Sequence, residues 1–306
     1  MPTDPKPPVL LISGPTAAGK SGLALDIARA YGACVVSADA MTVWRGLDIG
    51  TAKPSADEQA SVPHRCISVR NLEEEFNVSD FLAAVDQART DFQRVIIAGG
   101  TPFYLAGLVR PMAVLPAPDP TIRAELEALP HPWSVLQQVD PIIAAKLHEN
   151  DRVRIIRALE VHRITGRPMS EVQAGPPARP PIAAEVIWLD RDDLRERITA
   201  RIQVMVQQGY VDETRRVLAE GVPRDHRALR SFAYRHLVEH VLDGLPIDEA
   251  LRRTDRDTWR LARKQRTWSR GLGWTASSPE AAWRAAEVLW GPVSDPTLKA
   301  DPQRDH

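Results

Sequence analysis

The chain has 306 residues, a hydrophobic fraction of 43%, a charged fraction of 26% and a net charge of −1. These values fit a soluble globular protein of one large or two smaller domains and exclude a disordered or collagen-like chain. No apolar run approaches the roughly 18 residues of a membrane span, the polar Met1–Pro8 leader has no signal core, and Cys34 and Cys66 have no metal-ligand spacing. A cytoplasmic chain with reduced thiols is therefore expected.

The first informative stretch is Val9-Leu10-Leu11-Ile12, an apolar run that reads as a buried strand, followed by Ser13 and then Gly14-Pro15-Thr16-Ala17-Ala18-Gly19-Lys20-Ser21. That is a complete G-x-x-x-x-G-K-S phosphate loop. Leu23, Ile27 and Ala30 recur behind it at helical spacing. The order strand, loop, helix places backbone N–H groups and a helix N-terminus around a phosphate or diphosphate. Lys20 adds a point charge, and the Ser21 hydroxyl can hold Mg²⁺. The motif does not say which phosphate is bound.

A second strand is predicted over Ala33–Ser37, ending in Ala38-Asp39-Ala40-Met41-Thr42. Ligands of open α/β sheets lie outside the carboxyl ends of the strands, so Asp39 faces the phosphate crevice or caps a helix. The segment Thr42–Pro54 reads as an ordered loop. A third strand is expected over Cys66–Val69, and a helix opening at Val78 with Ser79 as its cap. Arg94–Ala98 is the next strand, followed by Gly99-Gly100-Thr101-Pro102. No aspartate stands where a nucleotide hydrolase keeps a Mg²⁺-associated acid. Thr101 either reaches a phosphate oxygen or caps the helix after it. Strands alternating with helices give an α/β fold, a doubly wound parallel sheet of the P-loop nucleoside-triphosphatase type.

Four prolines between Arg110 and Pro120 break the pattern. Helices are expected over Thr121–Leu129, Pro132–Val139, Pro141–Leu147 and Val153–Ile164, with no strand from Thr121 to Val172. Arg154 and Arg157 share a helix face. After a second proline-rich linker, Glu185–Asp190 returns to strand character. Leu194–Gln208 is an amphipathic helix carrying Arg197 and Arg201 on one face, where a diphosphate contact and a solvated face are both open. Leu251–Trp268 is helical and basic, with Trp259 and Trp268 interleaved among eight Lys/Arg between Leu251 and Arg270; this suits a nucleic acid or a solvated face. The expected organisation is a core domain from 1–112 and 181–290, a small all-helical insertion over 113–180, and a disordered tail over 291–306.

Taken in order, G-P-T-A-A-G-K-S (Gly14–Ser21), S-A-D (Ser37–Asp39), R-G-L-D-I-G-T-A-K-P (Arg45–Pro54), V-P-H (Val62–His64), V-S-D-F (Val78–Phe81), G-G-T (Gly99–Thr101), D-P-T-I-R (Asp119–Arg123), R-A-L-E-V (Arg157–Val161), T-G-R-P (Thr165–Pro168) and Q-G-Y (Gln208–Tyr210) resemble the bacterial tRNA dimethylallyltransferases, or tRNA isopentenyltransferases. The resemblance runs from about Val9 to about Arg270. It implies transfer of a dimethylallyl group from dimethylallyl diphosphate to the exocyclic amine of the adenine 3′ of the anticodon, with Mg²⁺ assisting and pyrophosphate leaving.

By the same resemblance, Asp39 is the general base, Thr101 contacts the bridging oxygen, and Arg201 joins Gly14–Ser21 on the diphosphate. Asp39, Ala40, Met41, Thr42, Thr101, Arg123, Arg154 and Arg157 contact the anticodon stem-loop, which the insertion clamps. A monomer and no membrane partner are expected. Departures from the family pattern fall at Ala40, Thr42, Val153, Ala233 and Trp259. Alternatives are an adenylate isopentenyltransferase acting on free nucleotide, a small-molecule kinase, and an RNA-binding protein with a relic phosphate loop.

Overall fold

The computed structural model describes residues 6–113, 115–177 and 179–293; the expected leader up to residue 5 and the tail from residue 294 lie outside them. The described chain divides into two compact units, Arg110–Pro181 and the remainder.

In chain order the elements are β1 (Val9–Ser13), α1 (Lys20–Tyr31), β2 (Cys34–Ser37), α2 (Ala56–Ser61), β3 (His64–Arg65), α3 (Val78–Asp91), β4 (Val95–Gly99) and α4 (Pro102–Val109). The smaller unit supplies α5 (Pro120–Glu127), α6 (Pro132–Val139), α7 (Pro141–Ala144), α8 (Arg152–Thr165) and α9 (Met169–Gln173). The chain then returns through β5 (Ala184–Leu189), α10 (Leu194–Gln207), α11 (Tyr210–Ala219), α12 (Arg235–Asp243), α13 (Ile247–Gly271), β6 (Ala276–Ser277) and α14 (Pro279–Trp290).

The six strands form one sheet in the order β3-β2-β4-β1-β5-β6, and every pair is parallel. β1, β2 and β4 are buried along their whole length. They read as continuous apolar runs because helices cover both faces. Leu10, Ile12, Leu23, Ile27 and Ile96 form the core between β1, β4 and α1, and α14 closes it through Ala282 and Ala286. No described helix is long and apolar enough to cross a membrane.

Two local readings of the sequence are corrected. The third strand is His64–Arg65, paired with Val35 and Val36, and not Cys66–Val69. Cys66 (φ 62°) and Ser68 (φ 50°) adopt left-handed backbone that no strand accommodates, and Ser68 and Val69 instead donate to the carbonyls of Thr42 and Val43. The cap of α3 is Asn77, not Ser79. Asn77 accepts from the N–H groups of Ser79 and Asp80 while Asp80 reaches back to the Asn77 N–H, a reciprocal capping box.

The smaller unit is built around Leu136, Ile155, Ile156 and Leu159, with Leu126 from α5. Its polar centre is Glu160, fully buried. Glu160 accepts from the Asp119 N–H at 3.0 Å, from Arg123 at 3.1 Å and from Arg157 at 2.5 Å. Arg157 also donates to the Pro116 carbonyl. The D-P-T-I-R and R-A-L-E-V segments are thus two halves of one buried ion-pair network. A buried carboxylate requires such partners.

The carboxyl ends of β1, β2 and β4 converge more closely than side chains allow. A Cβ on Gly99 would stand 2.3 Å from the Ala38 carbonyl oxygen, and one on Gly100 would stand 2.8 Å from the Gly14 carbonyl oxygen. Gly99→Ala is expected to destabilise the protein by about 2 kcal/mol, the scale of overpacking in a rigid core. Urea unfolding of the variant measures this directly; an unchanged midpoint would show that the strand ends can spread.

Candidate active site

The convergence point opens into a cavity walled by the phosphate loop, the β2 and β4 ends, α10, α13 and the segment around Gly50. Gln265 on α13 ties the loop to the strand ends. Its amide oxygen accepts from the Thr16 N–H at 2.9 Å, and its amide nitrogen donates to the Gly100 carbonyl at 2.8 Å. α13 therefore sets the distance between the loop and the G-G-T turn.

The residues of that turn are oriented by backbone. Thr101 donates its N–H to Ala38 at 3.1 Å, and its hydroxyl oxygen accepts from the Ala40 N–H at 3.0 Å. With a lone pair so engaged, the Thr101 O–H is left to donate. Asp39 accepts the Met41 N–H on Oδ1 at 2.8 Å. This two-residue turn fixes the carboxylate without a helix, so Asp39 is not a helix cap. No ion pair engages Asp39 among the described residues.

The charge balance of the cavity is unusual. Lys20 donates to the Pro15 carbonyl at 2.6 Å but has no ion pair among the described residues. Burial, and then the Arg201 guanidinium, hold its pKa down at about 8, against an upward pull from Asp39. The Arg201 guanidinium, on α10, makes neither hydrogen bond nor ion pair among the described residues. Burial lowers its pKa, while Asp39 and Tyr210 act in the opposite direction. Two cations thus share a cavity with too little negative charge to satisfy them, an arrangement suited to a multiply charged anion.

Thr16, Ala17, Lys20 and Ser21 face the cavity, as do Asp39, Met41 and Arg201. Gly14, Pro15, Ala18 and Gly19 complete the loop without lining it; Gly19 and Ser21 border an adjoining cleft. Thr42 reaches the cavity edge but is buried, bonded to Ser37 at 2.9 Å and to the carbonyls of Asp39 and Cys66. Neither Ala40 nor Thr101 is among the residues that line the cavity; the bond from the Ala40 N–H to the Thr101 hydroxyl joins the two strand-end turns beside it. Arg123 and Arg157 are held by Glu160 in the smaller unit, whereas Arg154 is 73% exposed and paired with Asp151 within its own helix turn.

Among the departures from the family pattern, Val153 is exposed and Ala233 lines the cavity. Trp259 packs against the core, with the guanidinium groups of Arg195 and Arg266 each about 6 Å from its ring centre. The basic stripe of α13 is largely committed to neighbours: Arg266 to Asp190, and Arg260 and Arg256 to the buried Asp257.

Sequence reading missed Glu213. It is 6% exposed and accepts the N–H groups of Asp48 and Ile49 on Oε2, each at 2.8 Å. On Oε1 it accepts the Gly50 N–H at 3.0 Å and the Tyr234 O–H at 2.6 Å. The only signal was the acid three residues after the Q-G-Y motif, which looks like an ordinary first-turn helix residue. Lys53 of the same loop is turned away from the cavity, bonded to the Trp44 carbonyl, Asp48 and Ser68.

The site sets a phosphate loop, the cations Lys20 and Arg201 and the Asp39 carboxylate on one cavity at the carboxyl ends of a parallel sheet. The IPP transferase family model matches residues 42–272. The chain is 39% identical over 269 residues to tRNA dimethylallyltransferase 1 of Citrifermentans bemidjiense, covering 85% of this chain and 88% of that one. It is 37% identical over 305 residues to the tRNA dimethylallyltransferase of Geobacter metallireducens, covering 95% and 94%. A crystal structure of the full-length tRNA isopentenylpyrophosphate transferase from Bacillus halodurans matches with a TM-score of 0.65 at 28% identity, over 94% of this chain and 96% of that one. A eukaryotic dimethylallyltransferase acting on tRNA shares the fold, with a TM-score of 0.74 at 23% identity over 86% and 69%. The chain belongs to the IPP transferase family.

The pKa of Lys20 gives a pH dependence. Below pH 8 the ammonium is charged; as pH rises through about 8 the free protein loses that proton. Affinity for an allylic diphosphate is therefore expected to be flat below pH 7 and to fall up to about tenfold per pH unit above 8, until the higher pKa of the anion-bound state is reached. Calorimetric titration at pH 6.5, 7.5, 8.5 and 9.5 checks this. Lys20→Ala should bind weakly throughout, with no slope in that window.

Proposed function

We propose that the protein transfers a dimethylallyl group from dimethylallyl diphosphate to the exocyclic amine of the adenine 3′ of the anticodon, in tRNAs reading codons that begin with U. The observation that carries this reading is the pair of half-buried cations, Lys20 and Arg201, without an ion pair among the described residues and on the same cavity as Asp39, the one carboxylate that acts on both. The amides of the Gly14–Ser21 loop, Lys20 and Arg201 bind the diphosphate and stabilise the charge that grows on it as the allylic C–O bond breaks. Thr101 donates its O–H to the bridging oxygen. The amine nitrogen forms the new bond to the allylic carbon, and its proton passes to the free oxygen of Asp39. Pyrophosphate leaves.

A Mg²⁺ ion fits this donor set in one way. The Ser21 hydroxyl is exposed on the cavity and has no protein partner among the described residues, and no group of three or more His, Cys, Asp or Glu is placed to hold a metal there. Ser21 would hold an ion whose other ligands come from the diphosphate and water, as Mg²⁺ prefers; bound so, it would add neutralising charge to the leaving group. The adenine must leave the anticodon stack to reach Asp39. The Arg110–Pro181 unit is suited to hold the stem, with the exposed Arg154 as a phosphate contact. Arg123 and Arg157 would act by stiffening that unit through Glu160.

Radiolabelled dimethylallyl diphosphate, Mg²⁺ and protein are incubated with unmodified tRNA, with AMP, or with no acceptor. Label is expected in the tRNA alone. Label only in AMP would assign a free-nucleotide acceptor, and label in neither would overturn the reading. Asp39→Ala should reduce turnover by about 10²–10⁴-fold, the usual share of a general base, with tRNA affinity within twofold of wild type. Equal turnover would remove Asp39 from the mechanism.

A further inference from the structure

We propose that Glu213 is a positioning residue for prenyl transfer, holding the Leu47–Pro54 loop as the cavity wall beside the non-phosphate part of the donor; this rests on the prenyl-transfer reading above. Four donors converge on one buried carboxylate, three of them consecutive backbone N–H groups at Asp48, Ile49 and Gly50. No cation pairs with Glu213 among the described residues, so the negative charge is stabilised by amide and phenol dipoles alone. Such a charge is costly to bury unless its geometry is kept, and the loop conformation is the one that keeps it.

The loop is also tied within itself, by Thr51 Oγ1 to the Leu47 carbonyl and by the Ala52 and Lys53 N–H groups to the Ile49 and Asp48 carbonyls, while Glu213 fixes the edge that faces Tyr210 and Tyr234. Gly50 lies against the rings of Tyr210 and Tyr234, where an added Cβ would stand 2.4 Å and 2.5 Å from ring carbons. Tyr210 donates its hydroxyl to the Ala233 carbonyl, and Ala233 lines the same cavity. Glu213, Tyr234 and Tyr210 therefore join the loop, α11 and the Ala233 turn into one wall. Gly50, Thr51 and Ala52 of the loop line the cavity, but none presents a charged group to it, and Lys53 is directed elsewhere. The wall thus offers shape to the prenyl group and the base, while Lys20, Arg201 and the phosphate loop hold the anion.

This division sets the test. Glu213→Gln keeps the size of the side chain but turns an amide N–H₂ toward backbone N–H groups, which releases the loop. Affinity for inorganic pyrophosphate is expected to stay within twofold of wild type. Affinity for dimethylallyl diphosphate should fall at least tenfold, and kcat for transfer to tRNA should fall at least tenfold. Tyr234→Phe keeps the ring against Gly50 and removes one donor; the same pattern is expected at about threefold. Equal loss of pyrophosphate and prenyl diphosphate binding in both variants would show a global structural role and overturn the proposal, as would unchanged donor binding and kcat. Wild-type transfer in parallel separates the two claims: an active wild type with no such split overturns the Glu213 role alone, and a wild type that binds no allylic diphosphate overturns both.

Discussion

Lys20 and Arg201 occupy one cavity without an anion sufficient for both, and the surrounding fold keeps them there. Lys20 is fixed because β1 delivers the phosphate loop to the head of α1. Arg201 is fixed because α10 follows β5, the neighbour of β1 on its other side. Burial weakens the charged state of each, so the free protein carries an unfavourable term that, on the proposed reading, a bound diphosphate would remove. Functional sites commonly hold such locally unfavourable arrangements, supported by packing elsewhere.

Two buried carboxylates order the packing of their own units in different ways. Glu160 is held by two arginines and a backbone N–H and knits α5 to α8. Glu213 is held by backbone N–H groups and a tyrosine hydroxyl and shapes a wall of the cavity. In both cases a polar group inside the protein is kept because its hydrogen bonds specify one geometry, and removing a partner leaves an unsatisfied charge. Gln265 does the same without charge, spanning the phosphate loop and the β4 end.

The parallel sheet was legible because its strands are buried on both faces and read as apolar runs, and because the phosphate loop fixes the first crossover. The helices of the Arg110–Pro181 unit were legible from their period and prolines. Short elements were not: β3 is two residues long, and the positive φ of Cys66 and Ser68 leaves no trace in composition. Among site residues, Lys20, Ser21, Asp39 and Arg201 came from motifs that the fold brings onto one cavity. Glu213 and the pairing of Arg123 and Arg157 with Glu160 could not be read, because each depends on contacts between segments 37 to 165 residues apart or on a partner hidden in a helix turn. A charged residue in a sequence does not reveal whether it faces a ligand or a buried counter-charge.

The central claim is that the cation pair is unfavourable until an anion arrives, and the most direct measurement is the melting temperature of Arg201→Met with and without inorganic pyrophosphate. The account predicts a ligand-free variant at least about 2 °C more stable than wild type, since removal of a half-buried charge without a hydrogen-bond partner, worth about 1 kcal/mol, shifts a protein of this size by that much. It also predicts that pyrophosphate, which stabilises the wild type by mass action, stabilises the variant little. A variant that melts lower than wild type without ligand, yet still gains the full pyrophosphate shift, would contradict the account.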